Sequence, residues 1–478
     1  MPQKKTNKST TKRKKKFQQF GNKIPLKIRF VSFSIFLFMI GRGLGTDTYF
    51  SIYVQHIIGN PRGVSAIGAI LSGAKLLLSI PIGNMNDHAN IKYILLLGKI
   101  LYVIAALCFF FAGLRMAREW LIIATLLNGF ASAMTFTTYR SYYGKNASKK
   151  NQTQIFGAYF SSLNIAQIIG ALISAFLVKY LELPYMYFFV AIFALISLLQ
   201  DQKIKSTLSK GYNRTRKKLN KRYEKSLLYE IDEGEDSSQT FFGKKGFLIS
   251  FIKEIFSFTP RKRIITVLKN YNHKLYSALG SQFLVNLLNY IGFLFIPIVA
   301  VVNNLSLSQI AIVFAVMKLP YLVNIFIGRF GDKYNKKLLI SIILIFMSFL
   351  YVLLGFQEIF IVILILTFGI SLGIAMLQPL TSALTSSYTH QKDKGVITGA
   401  QEFVGKSGEI AGSLGFGTIV ALIGIQTSFI SIGIAVFALG SYLFIKKISR
   451  YRSRAGEGEK KAEQEIHELG IPVADVKQ

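Results

Sequence analysis

The sequence predicts an all-α integral membrane protein with twelve transmembrane helices arranged as two pseudo-symmetric six-helix bundles. Three observations support this fold. The chain of 478 residues is 51% hydrophobic and has a mean hydropathy of +0.41. Its apolar runs reach about 20 residues, the length of a helix that crosses a bilayer. A long polar link, from Asp201 to His273, divides these runs into two equal sets.

Twelve apolar segments, numbered in chain order, define the predicted bundles. Each is long enough to cross the hydrocarbon core as a helix. Segments one to six form an N-terminal bundle over residues 30–200, and segments seven to twelve form a C-terminal bundle over residues 274–446. The segments lie at about 30–53, 64–86, 93–113, 120–142, 155–178, 184–200, 275–302, 307–329, 338–355, 358–386, 396–422 and 425–445.

Basic residues set the predicted orientation. The formal net charge is +34, and Lys residues concentrate in alternate loops, a bias typical of cytoplasmic loops. Both termini are therefore predicted to lie in the cytoplasm, with the chain in a plasma or inner cell membrane. The charge indicates contact with anionic membrane lipids and not with nucleic acid. The basic loop residues are Lys92, Lys145, Lys149, Lys150, Lys333, Lys336, Lys337, Lys392 and Lys394.

Three polar regions flank the predicted bundles. Residues 1–29 carry eleven Lys or Arg residues and no acid, which predicts a basic cytoplasmic tail. Residues 201–273 form a cytoplasmic linker, in which the stretch Phe241–Phe258 is predicted to be a helix in the membrane interface. Residues 447–478 form a cytoplasmic tail that is predicted to be solvated, with at most a short helix near Lys460–Leu469.

One polar loop occurs twice, each time between the second and third apolar segments of its half. The first copy runs from Gly83 to Lys92 and the second from Gly328 to Lys337. In both copies a Gly ends an apolar segment, an Asp follows four residues on, and Lys precedes the next segment. The copies are about 245 residues apart, which indicates an internal duplication.

The repeated loops resemble the signature loop of the major facilitator superfamily, Gly-x-x-x-Asp-(Arg/Lys)-x-Gly-(Arg/Lys)-(Arg/Lys). The second copy has Asn335 in place of the second Gly, and because Asn tolerates a left-handed backbone the turn is expected to persist. The first copy departs from the pattern at His88 and Asn90. The matching residues are Gly83, Asp87 and Lys92 in the first copy, and Gly328, Asp332, Lys333, Lys336 and Lys337 in the second.

The resemblance implies a transporter in which two bundles rock about a central cavity. Segments 1, 4, 7 and 10 would line the cavity, segments 2, 5, 8 and 11 would form its sides, and the others would support it from outside. Asp87 and Asp332 would form a cytoplasmic gate by contacting the neighbouring bundle. A simpler role, in which they cap the helices of segments three and nine, also fits the helix dipole.

Ionisable residues inside the apolar segments are the candidate substrate or proton-coupling sites, because a charge at mid-bilayer is costly unless it faces protein or water. Lys99 is set apart, since it lies near a segment end and is expected to snorkel to the interface. Glu402 and Lys406 are four residues apart on one helix and are expected to neutralise each other. The candidates are Arg42, Asp47, Lys75, Lys318, Glu402, Lys406 and Glu409.

Two interpretations of these charges remain open. In the structural one, Asp47 pairs with Arg42 or Lys75, and Glu409 pairs with Lys318. In the functional one, Asp47 or Glu409 binds and releases a proton as water access alternates. The candidates carry one more positive than negative charge, and a positive cavity favours an anionic or zwitterionic solute. Neutral groups that either bind solute or join helices are Asn164, Gln167, Asn286, Asn289 and Gln378.

Segment five repeats as segment eleven. The stretch Ala166–Ala171 precedes Gly408–Ser413 by about 242 residues, and the small residues in both copies allow close packing of helices. The superfamily antiporter motif, Gly-Pro-x-x-Gly-Gly, stands on segment five, where Ala166 and Gln167 replace its first two residues. The Gly-rich stretch Ile40–Gly45 of segment one resembles drug-exporter-like members.

The predicted function is secondary active transport of a small solute by alternating access, coupled to protons, with efflux as one direction considered. The alternative is a transport-inactive membrane sensor or scaffold that acts through its linker. No Gly-x-x-x-x-Gly-Lys-Ser/Thr loop occurs, the His residues are scattered, and Cys108 is the single cysteine. We therefore expect no enzyme activity, cofactor, metal site or internal disulfide. The chain is also expected to be a monomer.

Overall fold

The computed structural model of the chain is helical throughout most of the residues that it describes, which are 26–88, 91–146, 152–202, 268–269, 271, 273–323, 335–388 and 394–468. The predicted basic tail up to residue 25 and the linker at 203–267, with its interfacial helix, lie outside the described residues. The described α-helices are α1 (Leu26–Leu44), α2 (Phe50–Ile58), α3 (Pro61–His88), α4 (Ile91–Arg115), α5 (Arg118–Asn146), α6 (Gln152–Leu177), α7 (Leu183–Gln202), α8 (His273–Val302), α9 (Leu307–Lys318), α10 (Lys336–Gly355), α11 (Phe360–Ser387), α12 (Lys394–Ile423) and α13 (Ile425–Glu468).

These helices confirm the predicted all-α membrane fold. Segment one consists of α1 and α2, and the described part of segment eight consists of α9 followed by the 3-10 turn Leu319–Val323. Each remaining segment is one helix. Among the described residues, eight helices are long and apolar enough to cross a bilayer by these criteria alone. Every candidate charge except Lys75 lies on a segment outside these eight helices, namely one, eight or eleven.

The two halves, α1–α7 and α8–α13, repeat the same packing. In the first half α4 packs against α5 and α7, and its counterpart α10 packs against α11 and α13. The contact of α1 with α6 corresponds to that of α8 with α12. Between the halves, α3 packs on α12 and α6 packs on α9. These two related crossings are what a pseudo-two-fold axis produces, and they confirm the predicted duplication.

Small residues allow the close crossings within each half. A Cβ atom at Gly170 on α6 would clash with the carbonyl oxygen of Ile40 on α1. In the second half, a Cβ atom at Gly412 on α12 would lie 2.8 Å from the carbonyl oxygen of Leu287 on α8. Both glycines belong to the repeated stretches of segments five and eleven, so the predicted role of small residues in helix packing is confirmed.

Large apolar side chains cover the outside of the bundle. Phe176, Ile361 and Leu422 are 61%, 65% and 70% exposed. Apolar surface of this extent is unfavourable in water and suits contact with lipid chains, where helices satisfy their own backbone hydrogen bonds. The described helices therefore present the surface of a multi-pass membrane protein.

The end of the chain is more helical than the sequence predicts. Helix α13 continues from segment twelve to Glu468, so the expectation of at most a short helix near Lys460–Leu469 is wrong. The stretch after residue 450 is rich in Glu, Lys and Ala, which are strong helix formers. Their summed preference outweighs the two glycines, Gly456 and Gly458, that suggested a break.

Candidate substrate and coupling site

A cavity of about 280 Å³ lies between the two halves. Helices α1, α3, α5 and α6 line it from the first half, and α8, α9, α11 and α12 line it from the second. These helices belong to the segments that the resemblance assigns to the cavity and its sides. All seven candidate charges contribute to the wall. It also contains Arg140, which sequence reasoning did not select because it stands near the end of segment four.

Segment one is interrupted at the cavity, where residues 45–49 form a turn between α1 and α2. The backbone N–H of Asp47 donates to the carbonyl oxygen of Arg42 at 2.9 Å. The hydroxyl of Thr48 donates to the carbonyl oxygen of Gly43. Gly43 also lies against the backbone of Gln167, so closely that a Cβ atom would be 2.5 Å from that carbonyl oxygen. The turn directs the Asp47 side chain into the cavity wall.

Asp47 forms a two-point ion pair with Arg42. The Nε of Arg42 donates to Oδ2 at 3.0 Å and Nη2 donates to Oδ1 at 2.6 Å. The amide of Gln167 donates to the same carboxylate at 2.6 Å, and Nη1 of Arg42 donates to Ser132 at 2.9 Å. Both charged side chains are 7% exposed. Bidentate geometry and full hydrogen bonding offset the desolvation of both charges, and Arg42 is the partner of the two that the sequence left open.

Glu409 joins the two halves. Lys406, one turn earlier on α12, donates to Oε1 at 2.5 Å, and Ser72 on α3 donates to Oε2 at 3.0 Å. The carboxylate is 7% exposed. The expected pair of Glu409 with Lys318 is therefore wrong, because the neighbour on the same helix occupies the carboxylate. This acid contacts both bundles at once.

Glu402 pairs with Arg140 on α5 and not with Lys406 as expected. The i, i+4 spacing makes a pair possible in an isolated helix, but charges on neighbouring helices compete for the same groups. Here Arg140 of the first half takes Glu402, and Lys406 takes Glu409. The Arg140 and Glu402 side chains are 39% and 35% exposed, so this pair between the halves is open to solvent.

Lys75 and Lys318 line the cavity without a carboxylate partner. Neither ammonium group lies within 4.0 Å of an Asp or Glu oxygen in the part of the chain that the structure describes. The Nζ of Lys318 lies 5.0 Å from the ring centre of Phe314 and 5.7 Å from that of Tyr321. Aromatic faces attract a cation without neutralising it.

The five neutral candidates divide into two groups. Gln167 and Asn289 line the cavity. Asn164 and Asn286 instead donate to carbonyl oxygens of their own helices, each at 2.8 Å. Gln378 lies on α11 and does not contribute to the cavity wall. Only the first group is placed to contact a solute.

Asn128 is a cavity residue that the sequence did not reveal. It is 0% exposed, and its Oδ1 accepts from Ser132 at 3.2 Å. Its Nδ2 group has no hydrogen-bond partner among the described residues. A buried donor without a partner is costly, so the position is suited to a bound molecule that supplies an acceptor. A polar residue inside segment four was the signal that could have identified it.

Lys99 lies outside this cavity and does not snorkel. Its side chain is 0% exposed, and its Nζ lies 2.5 Å from Oδ2 of Asp201. It also donates to Ser34 at 2.8 Å, and Tyr139 donates to the Asp201 carboxylate at 3.1 Å. The sequence placed Asp201 at the start of the linker, whereas the structure places it inside α7. This acid supplies the counter-charge that allows Lys99 to be buried.

The signature-loop residues are described in part. Gly83 and Asp87 lie near the end of α3, and Lys92 lies at the start of α4. Lys336 and Lys337 begin α10. The remaining predicted residues, Gly328, Asp332 and Lys333, lie outside the described residues, as does the side chain of Asp87. The proposed gate formed by the two loops therefore stays a prediction.

Asn335 has a different role from the one expected. Its Oδ1 accepts from the backbone N–H groups of Lys337 at 3.1 Å and Leu338 at 3.4 Å, and its backbone is extended, with φ −67° and ψ 110°. The expected left-handed conformation is thus wrong. Asn is preferred as an N-cap because its side chain satisfies free N–H groups of the first turn. Asn335, and not Asp332, occupies the N-cap position of segment nine.

Hydrogen bonds also join the halves beyond the cavity, at the end of the bundle away from the repeated loops. We call the end of the bundle where α3 ends and α4 begins the motif face, and the other end the opposite face. Toward the opposite face, Ser413 donates to the carbonyl oxygen of Ser65 at 2.6 Å, and Ser308 donates to that of Ala175 at 2.7 Å. A Cβ atom at Gly417 would overlap the Ser65 side chain. These contacts hold the halves together at the opposite face, whereas the Arg140–Glu402 pair toward the motif face is partly exposed to solvent.

The family model described as Major Facilitator Superfamily matches residues 31–272 and 277–475. The chain belongs to the major facilitator superfamily. This membership, together with the helical cavity, identifies a membrane transport protein. A comparison with curated proteins finds no significant match in sequence.

Solved structures of other transporters resemble this superfamily member in fold. A POT family transporter in complex with 5-aminolevulinic acid has a TM-score of 0.65 and 12% identity, with 89% of this chain and 96% of that chain covered. The nucleoside transporter NupG has a TM-score of 0.63 and 13% identity, with 88% and 99% covered. The human organic anion transporter MFSD10 (TETRAN) has a TM-score of 0.57 and 14% identity, with 88% and 100% covered.

Proposed function

We propose that this superfamily member moves a small solute across the membrane by alternating access and couples that movement to protons. The observation that supports this most strongly is the cavity between the halves, whose wall carries the seven predicted charges. Secondary transporters bind solute between their structural repeats, near the middle of the membrane. Closure of the opposite face by hydrogen bonds between the halves fits one of the two states that such a cycle requires.

Glu409 is the proposed coupling acid. Its carboxylate accepts from Lys406 on its own helix and from Ser72 on the other half. Adding a proton removes the negative charge that strengthens both hydrogen bonds, so the contact between the halves weakens. Protonation would thereby shift the balance between two arrangements of the halves. Asp47 is the second candidate, although Arg42 and Gln167 hold it within one half.

The Arg140–Glu402 pair is a proposed gate on the motif side of the cavity. It joins α5 of the first half to α12 of the second, and both side chains are partly exposed. An exposed ion pair contributes little to stability, so it can break and reform at small cost as the halves move. This gate would act together with the predicted gate at Asp87 and Asp332.

Efflux is the proposed direction, because the Gly-rich stretch Ile40–Gly45 resembles drug-exporter-like members.

The alternative function, a transport-inactive sensor or scaffold, depends on the linker, most of which lies outside the described residues. A charged cavity between the two halves favours transport over sensing. We also propose that the chain is a monomer in a plasma or inner cell membrane, where it contacts membrane lipids and has both termini in the cytoplasm.

Proteoliposomes that contain a pH-sensitive dye test the coupling. An imposed pH gradient is expected to drive accumulation of a transported solute, and a solute gradient is expected to move protons. Glu409→Gln should abolish the pH-driven accumulation and retain solute exchange. Glu182→Gln, a change at an exposed acid outside the cavity, should behave like the wild type. Equal accumulation with and without the gradient would exclude proton coupling, and solute binding without any movement would favour the sensor.

A further inference from the structure

The charges around the cavity do not balance. Its wall contains five cationic and three acidic side chains. Each acid forms one ion pair within the described part of the chain, so three of the cations are neutralised and two are left over. The ion pairs are Arg42–Asp47, Arg140–Glu402 and Lys406–Glu409, and the remaining cations are Lys75 and Lys318.

The two remaining lysines occupy related positions in the duplicated fold. Lys75 lies on α3 in segment two, and Lys318 ends α9 in segment eight, its counterpart. They are about 243 residues apart, which matches the separation of the other repeated features. The duplication therefore supplies one unpaired ammonium group from each half to the same cavity.

Lys75 and Lys318 are both partly buried, and an ammonium group that has lost part of its contact with water favours a site where an opposite charge or several acceptors compensate it. Lys318 has aromatic faces nearby, and these offset a small part of that loss. Asn128 adds a buried Nδ2 donor that has no partner among the described residues. Two cations and a free donor, with every lining acid already paired, form a site for an anion with several acceptor oxygens.

We propose that the cavity binds a small organic dianion whose anionic groups contact Lys75 in the first half and Lys318 in the second. The inference rests on the proposed function in that the cavity is the solute site. Dicarboxylates and phosphate monoesters share the required chemistry of two negative charges on oxygen. Such a ligand neutralises both lysines and links the halves, so it favours the arrangement in which both lysines face one cavity.

Thermal unfolding of the purified protein at constant ionic strength tests this proposal without any transport assay. Succinate, glutarate and glycerol 3-phosphate serve as dianions, with acetate, urea and choline as monoanionic, neutral and cationic comparisons. At least one dianion is expected to raise the Tm by about 2–5 °C. The rank of the dicarboxylates against the phosphate ester identifies which anionic group the cavity prefers.

Single variants separate the two lysines from general charge effects. Lys75→Gln and Lys318→Gln are each expected to weaken binding of the dianion about thirtyfold or more, since one partner of a charge pair is removed. Without ligand both variants should be at least as stable as the wild type, because an uncompensated charge is gone. Lys179→Gln, at an exposed lysine outside the cavity, should leave dianion binding unchanged.

Two results would overturn the proposal. One is stabilisation by dianions that does not exceed that by acetate or choline, and the other is full dianion binding by both lysine variants. The proposed function fails independently, because a protein that binds the dianion but moves no solute would retain this site and lose the transport assignment. Conversely, proton-coupled transport of a neutral or cationic solute would remove this inference and keep transport.

Discussion

Lys75 and Lys99 lie on consecutive helices of the same half, and their surroundings differ in every respect that matters for function. Lys99 is fully buried beside Asp201, with Ser34 as a further acceptor. Lys75 lines the cavity between the halves and has no carboxylate within 4.0 Å among the described residues. Lys99 therefore has its counter-charge within one bundle. Lys75 faces the cavity, where a bound molecule could supply the missing counter-charge.

This difference indicates how the two regions divide their tasks. Charges within a half have fixed partners and serve the stability of that half. Glu402 and Glu409 have partners on the other half, Arg140 and Ser72, which would separate if the halves move as proposed. Substitutions inside a half should therefore change stability, whereas substitutions between the halves should change the conformational equilibrium. The following four predictions test that division, starting with the largest effect.

Asp201→Asn is expected to destabilise the protein by about 3–5 kcal/mol, because it leaves the Lys99 ammonium buried without a counter-charge. The measurements are the yield of folded protein in detergent and its Tm. The double variant Lys99→Met/Asp201→Leu should recover part of the loss, since it removes both charges. An unchanged Tm in Asp201→Asn would contradict the assignment of this pair to stability.

Gly417→Val is expected to loosen the opposite face, because its side chain would overlap Ser65 at the crossing of α12 and α3. Overpacking of about 1–3 kcal/mol shifts a conformational equilibrium roughly tenfold. The measurement is maleimide labelling of Ser413→Cys, a buried position between the halves, in a Cys108→Ser background with and without Gly417→Val, so that loss of the Ser413–Ser65 hydrogen bond is common to both proteins. Labelling should become about tenfold faster.

The matched control for this prediction is Gly415→Val on the same helix. A Cβ atom at Gly415 has no heavy atom within 4 Å. The control adds the same side chain at nearly the same depth without a clash between the halves. Equal labelling rates in the two variants would show that the crossing at Gly417 does not close the opposite face.

Asn335→Ala is expected to cost about 1 kcal/mol of stability through loss of the N-cap of α10. Asn335→Ser should retain most of the stability, because a hydroxyl oxygen can accept the same backbone hydrogen bonds. The Tm of the three proteins checks this order. A transport defect in the alanine variant at unchanged Tm would assign Asn335 to gating and break the division between the two regions.

Arg140→Gln is expected to change stability least, by less than about 1 kcal/mol, because the pair with Glu402 is partly exposed to solvent. Its solute exchange rate in proteoliposomes should nevertheless differ from the wild type. The charge reversal Arg140→Glu/Glu402→Arg should restore the rate. Identical rates in all three proteins would show that the pair is not a gate.

Much of the fold was predictable because hydrophobic length and internal repetition are written along the chain. Seven of the eight charges that line the cavity were also predictable, since a charge in an apolar segment must face protein or water. Arg140 was missed because it stands near the end of segment four. The choice of partners was not predictable. Glu402 forms its ion pair with Arg140, on a helix far away in sequence, and Lys99 forms one with Asp201 at the end of α7. Spacing in sequence shows which pairs can form on one helix, and only the packing of helices decides which do.

The turn at residues 45–49 was missed for a related reason. The hydropathy of segment one predicts a continuous helix. Its glycines allow the helix to break at this turn, and packing and hydrogen bonds stabilise the turn. Asn128 shows the same limit, because a polar residue inside an apolar segment gives no indication of whether its partners are present. Both features lie at the cavity, where the local structure departs from regular helix packing.

The crossing of α3 and α12 at Ser65 and Gly417 lies close to the opposite face, and in the proposed cycle it would be the fulcrum about which α3 tilts. From Ser65 the helix continues to His88, a length of about 35 Å at 1.5 Å per residue. A tilt of about 10° at this fulcrum would displace the far end by about 6 Å. A small change of angle at this tight crossing would thus open a passage as wide as a small organic molecule at the motif face.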